Sequence, residues 1–267
     1  NNGKKSSYIN INYNRREDYE KIVTDRFFSP DSVLGQKAFT KYPSSVYFIS
    51  YGLTYSMGKK WEIDFAGSSS LNDFNNKTEN QSAIKKISTS QLITDNLNKV
   101  DNNGHTLNFS NGISTKLKID SAGSEWTNDF YYSRLSNKNA QEFTIQFNNP
   151  FIFNTNGDGD NDTKRNLFTY TSDMKQKFNN RFTLETGIKI SQLSFTSDAD
   201  YFTGINSTRQ KDPARTNKFI YKENINAAYL QGTKTFGKDI ILKFGTRLEN
   251  TNMKGNQLIP DDTTFAI

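Results

Sequence analysis

Residues 45–57 read S-V-Y-F-I-S-Y-G-L-T-Y-S-M. In an extended chain, successive side chains point to opposite faces, so Tyr47, Ile49, Tyr51, Leu53, Tyr55 and Met57 share one face. Val46, Phe48, Ser50, Gly52, Thr54 and Ser56 share the other. The first face is apolar throughout; the second is mostly small or polar. Gly58-Lys59-Lys60 follows, and glycine tolerates the positive φ that a tight hairpin needs. Alternation resumes with Trp61, Ile63 and Phe65 against Glu62, Asp64 and Ala66. The pattern predicts a β-hairpin with one greasy and one wet face.

The unit recurs along the chain. Leu107, Phe109, Ile113, Thr115, Leu117 and Ile119 alternate with Asn108, Ser110, Gly112, Ser114, Lys116 and Lys118 before a connection at 120–125 and a return through Trp126, Phe130 and Tyr132. A third hairpin carries Phe168, Tyr170 and Met174, turns at 179–180, and returns with Phe182, Leu184, Thr186, Ile188 and Ile190. A fourth carries Ile225, Ala227 and Tyr229, turns at 237–239, and returns with Ile240, Leu242, Phe244, Thr246 and Leu248 opposite Lys243, Gly245, Arg247 and Glu249. Ile9, Ile11 and Tyr13 mark one strand more, for about nine in all.

Composition agrees with that pattern. Only 33% of the 267 residues are hydrophobic, against roughly 45–50% in ordinary globular domains. Yet the chain holds 21 Phe, 13 Tyr and 2 Trp, which a disordered polar chain would lack. Strands with one apolar face each, diluted by polar segments, reconcile the two. Without cysteine there is no disulfide framework and no thiolate metal site. With His105 as the sole histidine, a multi-histidine metal centre is excluded. His105 falls beside Asn102-Asn103-Gly104, read as loop, with no acid–base partner, so the chain is not expected to be an enzyme and no cofactor is expected.

The connections favour a membrane barrel over a soluble sandwich. Short turns near 58–60, 120–125, 179–180 and 237–239 alternate with long polar segments near 15–44, 67–106, 136–166 and 196–218, read as outer loops. Transmembrane barrels have short turns at one end, long loops at the other, and about 9–11 residues per crossing. The expected fold is therefore all-β, an antiparallel up-and-down transmembrane barrel whose lumen face carries Lys116, Lys118, Lys243, Arg247 and Glu249. About nine strands do not close a single-chain barrel, and unpaired edges in lipid cost several kcal/mol per group, so a segment of a larger barrel is expected.

Tyr221–Tyr229 (YKENINAAY), with Gly237-Lys238 and Gly245–Thr251 (GTRLENT), resembles the outer-membrane β-barrel family of TonB-dependent-receptor-like proteins. Met174–Ile190, with Gly187-Ile188-Lys189, fits the preceding hairpin of that family. The resemblance is most specific over 167–267. It implies a barrel of about 22 strands, the class of plugged transporters, in the Gram-negative outer membrane. It also implies energised uptake of a large nutrient: an oligosaccharide, a peptide or a metal chelate. Implied partners are outer-membrane lipid, an energy-transducing periplasmic protein reached through parts not visible in this stretch, a surface lipoprotein and the extracellular nutrient. The plug and its contact segment are not visible here either. A non-transporting scaffold for a surface complex, and a soluble extracellular adhesin or sugar-binding domain, are the alternative readings.

Three local features suggest sites. Asn154, Asn156, Asp158, Asp160 and Asp162 place oxygen ligands at alternate positions with Gly159 sixth, as at the start of a calcium loop, although position twelve is Arg165 rather than a bidentate Glu. The dull reading is a solvated Asn/Asp/Gly loop. Tyr47, Tyr55, Trp61, Trp126 and Tyr229 suit the aromatic girdles of a barrel. Phe27, Phe28, Phe151 and Phe153, read as loop residues, are candidate ligand contacts. The net charge of +6 is scattered among nearly as many acids, so no nucleic-acid partner is expected.

Overall fold

The computed structural model describes residues 4–179, 182–205, 208–237 and 240–266. These form one antiparallel sheet with up-and-down connectivity. Nine long strands carry it: β1 (Lys5–Ser29), β2 (Ser32–Met57), β3 (Trp61–Lys86), β4 (Leu92–Lys118), β5 (Glu125–Asn149), β6 (Phe153–Asn179), β7 (Phe182–Ile205), β9 (Asn217–Phe236) and β10 (Ile240–Ile259). Two short strands, β8 (Gln210–Lys211) and β11 (Thr263–Ala266), pair with the outer parts of β7 and β10. Among the described residues the sheet stays open, with β1 at one edge and β11 flanking β10 at the other.

The expected turn at 58–60 is formed, with Gly58 at φ 66°. The β4–β5 turn also forms where expected, and Gly123 takes φ 95°. Ser124, 1% exposed, ties this turn to the next strand, because its hydroxyl oxygen accepts from Lys177 N (2.9 Å) and Gln176 Nε2 (3.1 Å). The turns expected at 179–180 and 237–239 fall partly on 180–181 and 238–239, outside the described residues.

Most of each segment read as a long outer loop is strand. Residues 15–44 are the upper halves of β1 and β2 around a turn at 30–31, and 67–106 continue β3 and β4 to a turn at 87–91. Residues 136–166 extend β5 and β6, and 196–218 hold the end of β7, β8 and the start of β9. The ladder persists because polar side chains also pair across strands. Thr40 and Thr78 hydroxyls lie 3.0 Å apart, Asn137 donates to Thr106 Oγ1 (3.2 Å), and Lys77 meets Asp101 at 3.1 Å. Apolar alternation, the signal used on the sequence, is absent from strands that have water on both faces.

Candidate functional site: the two faces of the wall

Directly opposed residues in an antiparallel ladder share a face, so the registers assign every side chain. The row Leu53–Phe65–Ile113–Phe130–Tyr170–Ile190 runs across six strands on one face. The adjacent row on the other face is Thr54–Asp64–Ser114–Asp129–Thr171–Lys189, ending at Glu249 through Ala227. One residue of displacement separates a greasy row from a charged one.

The apolar face covers no core. The buried hydrophobic residues among those described are Ala199 and Ala227, whereas Leu53, Ile113, Phe130, Ile188, Leu230 and Leu248 stand 44–76% exposed. A contiguous apolar surface of this extent needs an apolar solvent. Several polar residues on this face are hydrogen-bonded within it, which hydrocarbon surroundings favour. Tyr51 donates to Asn111 Oδ1 (2.8 Å), Tyr170 to Asn128 Oδ1 (3.0 Å), and Trp126 Nε1 to Ser172 Oγ (2.9 Å).

The edge of the apolar band fixes its orientation. Tyr47 shares a row with Leu71, Leu107, Ser136, Lys164, Thr196, Ile220 and Asn256. On β2, β3 and β4 this face turns polar just beyond that row, at Ser45, Asp73 and His105. On β10 it turns polar beyond Leu248, eight residues nearer the turn than Asn256 (256 − 248). Eight residues of about 3.3 Å over seven strand spacings of about 4.8 Å give a slope of about 38°. Barrel strands tilt by about 35–45° in the membrane. The ten residue steps from Tyr47 to Met57, at about 3.3 Å each and that tilt, span about 26 Å along the normal, against about 25 Å for an outer-membrane apolar band.

The opposite face is wet along the same span. Thr54 donates to Asp64 Oδ1 (2.5 Å), Ser114 to Asp129 Oδ1 (2.5 Å), and Lys116 meets Glu125 at 2.7 Å. Lys116, Lys118, Lys243, Arg247 and Glu249 all lie on this face, as expected. Tyr229 does not join the aromatic girdle. It opposes Arg247 and Gly187, so it points inward, where its ring crosses Gly187 and its hydroxyl donates to Asp173 Oδ1 (2.7 Å). The register puts Ala228 and Leu230 outward instead, because Ala228 pairs with Leu248. Trp61 and Trp126 share the outward row next to the short turns, and Tyr47 sits at the far edge beside Tyr13 (ring centroids 5.0 Å apart).

Beyond the band, the tract expected to be a calcium loop is part of β6. Asn154, Asn156, Asp158, Asp160 and Asp162 line up on its outward face. Alternate strand residues lie about 6.6 Å apart, so these oxygens do not wrap one ion. Among the described residues no group of three or more acids and histidines is placed to hold a metal. Asp158 instead pairs with Arg209 (2.9 and 2.7 Å), which holds its carboxyl below the usual range, and Asp162 meets Lys164 at 2.8 Å. His105 lies on β4 between Asp73 and Lys138 rather than in a loop. Phe27 and Phe28 end β1 and are exposed, Phe151 is exposed in the β5–β6 turn, and Phe153 stacks on Phe147 at 4.4 Å.

One inward cluster escaped the sequence reading. Phe143 and Tyr201 lay their rings across Gly157 and Gly159 of the intervening strand, where an added Cβ would stand 2.4 and 2.2 Å from them. Arg215 stacks over Tyr201 (4.1 Å) and Phe143 (5.3 Å) and donates to Gln141 Oε1 (2.6 Å). The Gly-x-Gly spacing was visible, but only pairing shows which rings fill it.

A tilted antiparallel wall with an apolar belt outside and charged rows inside defines a transmembrane β-barrel of the outer-membrane type. The chain belongs to the outer membrane protein beta-barrel family, whose family model matches residues 117–266, more than half of its 267 residues. Its place is the outer membrane. No curated protein matches its sequence. Among solved structures it aligns with the closed form of the ferric-catecholate import receptor Fiu from E. coli K12, at 6% identity and a TM-score of 0.17. That alignment covers all of this chain and 65% of the receptor, and at such a score it carries no argument.

Proposed function

We propose that this wall belongs to an outer-membrane receptor that takes up a nutrient too large for porins, such as an oligosaccharide, a peptide or a metal chelate. The supporting observation is the inward face. Rows of Asp, Glu, Lys, Ser and Thr line it over the same span in which the outward face is apolar. A wall that only anchored a complex needs no continuous hydrogen-bonding lining. The polar strands rising beyond the membrane present amide and aromatic side chains to a ligand at the outer mouth. Uptake would be driven by an energy-transducing periplasmic protein, a surface lipoprotein could assist capture, and no covalent bond in the nutrient would change.

Cells that depend on one nutrient class for growth provide the test. Deleting the gene for the full-length protein should abolish growth on one large nutrient and leave growth on its small-molecule units intact. Unchanged growth and unchanged uptake of every large nutrient tested, with loss only of a surface complex, would overturn transport in favour of a scaffold.

A further inference from the structure

The inward cluster at the outer end of β5–β7 has the makings of a recognition site. Its cation is fixed before any ligand arrives. Thr216, 2% exposed, accepts from Tyr201 N (3.1 Å) and donates to Tyr201 O (3.3 Å) through its hydroxyl, and Asp212 N donates to Tyr201 O (2.8 Å). Asp212 spends a carboxylate oxygen on the backbone N–H groups of Ala214 and Arg215 (3.0 and 3.3 Å). The short segment bearing Arg215 is therefore pinned to the residue whose ring lies under its guanidinium. Gln141 is oriented as well: its amide nitrogen donates to Asn102 Oδ1 (2.8 Å), which leaves its oxygen for Arg215.

The charge around this cation is lopsided. Among the described residues no carboxylate forms an ion pair with Arg215, whereas Arg209, on the other face, is paired with Asp158. Asp212, on Arg215's own segment, is tied to backbone N–H groups there, and the strand acids of this region, Glu142, Asp158, Asp160, Asp162, Asp198 and Asp200, all occupy outward positions. The inward rungs beside Gln141 carry Asn76, Asn102, Asn139 and Asn161. An exposed guanidinium with free donors thus faces the lumen side across a neutral amide surface. Guanidinium matches carboxylate through paired hydrogen bonds. Side-chain amides donate and accept, which suits the hydroxyls of a sugar.

We infer that Arg215, seated on Tyr201 and Phe143 and braced by Gln141, is a carboxylate-binding subsite for an acidic oligosaccharide entering the mouth. This rests on the receptor reading above and narrows its ligand class. Gly157 and Gly159 serve it by letting the two rings lie flat across β6.

The test is calorimetric titration of the full-length protein in detergent micelles with trigalacturonate and with its methyl ester. Trigalacturonate should bind more tightly than the ester. Arg215→Ala should weaken the acidic probe by about tenfold or more, as expected for a charge-assisted hydrogen bond, and weaken the ester by a smaller factor. Arg215→Lys should restore part of the loss. Gly159→Val, which drives a methyl into the Tyr201 ring, should weaken the acidic probe with Arg215 intact. Equal binding of acid and ester, or unchanged acid binding in Arg215→Ala, overturns the carboxylate assignment. Absence of trigalacturonate binding at millimolar concentration overturns the acidic-sugar assignment too. The growth experiment reads the receptor function independently, so the two failures are distinguishable.

Discussion

Ile113 and Ser114 are neighbours in the chain and face different solvents, which gives the sharpest test of the wall. Ile113 lies on the outward row with Phe65 and Phe130, near the middle of the apolar band. Leu107, six residues along on the same face (113 − 107), is at its outer edge. At about 3.3 Å per residue and the tilt worked out above, Leu107 lies about 16 Å from Ile113 along the membrane normal. An arginine on the lipid face costs about 2–4 kcal/mol at the midplane and about 0–1 near the interface. Ile113→Arg should therefore destabilise the folded protein by about 2–4 kcal/mol, a factor of roughly 30 to 900 in the folding equilibrium. Leu107→Arg should cost less than about 1 kcal/mol. Ser114→Arg should cost least, because it enters the wet row between Asp64 and Asp129. Urea titration of the full-length protein in phospholipid vesicles, with folding read by heat-modifiable gel mobility, measures all three. Equal penalties at 113 and 114 would refute the assignment of faces, and equal penalties at 113 and 107 would refute the band.

Other expectations follow from the same geometry. Trp61 and Trp126 share a row, but the tilt sinks Trp126 deeper by about 6 Å across two strand spacings; single-tryptophan variants in brominated lipids should show Trp126 quenched at greater depth, and equal depth would contradict the slope. The carboxyls of Asp31 and Asp120 sit in turns outside the membrane and are held below the usual range by hydrogen bonds from Ser88 and Ser124 respectively. A depressed pKa stabilises the folded turn above the unfolded value near 4 and is lost as pH falls through the folded one. Hydrogen exchange at both turns should thus stay slow from neutral pH to about 4 and show added opening below it, and Asp120→Asn should remove that step at the second turn. Millimolar calcium should leave the melting temperature unchanged, since the five Asn/Asp side chains of 154–162 stand along a strand; a rise abolished by Asp160→Asn would show that they gather around an ion.

The hairpins of the spanning band were legible because lipid on one side and water on the other impose a period of two on the residues themselves. Gly58 marked a turn that the structure forms, and the connection read at 120–125 forms as well. The polar extensions were not legible, since Asn, Ser, Thr and Lys alternate with nothing when both faces meet water, and a strand such as Asn154–Asp162 then looks like a loop. The face of Tyr229 was misjudged for a related reason. Ile225, Ala227 and Tyr229 look apolar together, and only pairing with Leu248 through Ala228 settles which parity points outward.

The sequence alone therefore determined an amphipathic antiparallel barrel wall, because side-chain alternation is a local property of extended chain. Tertiary structure decided the strand length beyond the membrane, the tilt and the inward cluster. Those depend on register, which aligns residues far apart in sequence: Tyr201 and Gln141 flank Gly159, and Arg215 meets Tyr201, Phe143 and Gln141, only once β5, β6 and β7 lie side by side.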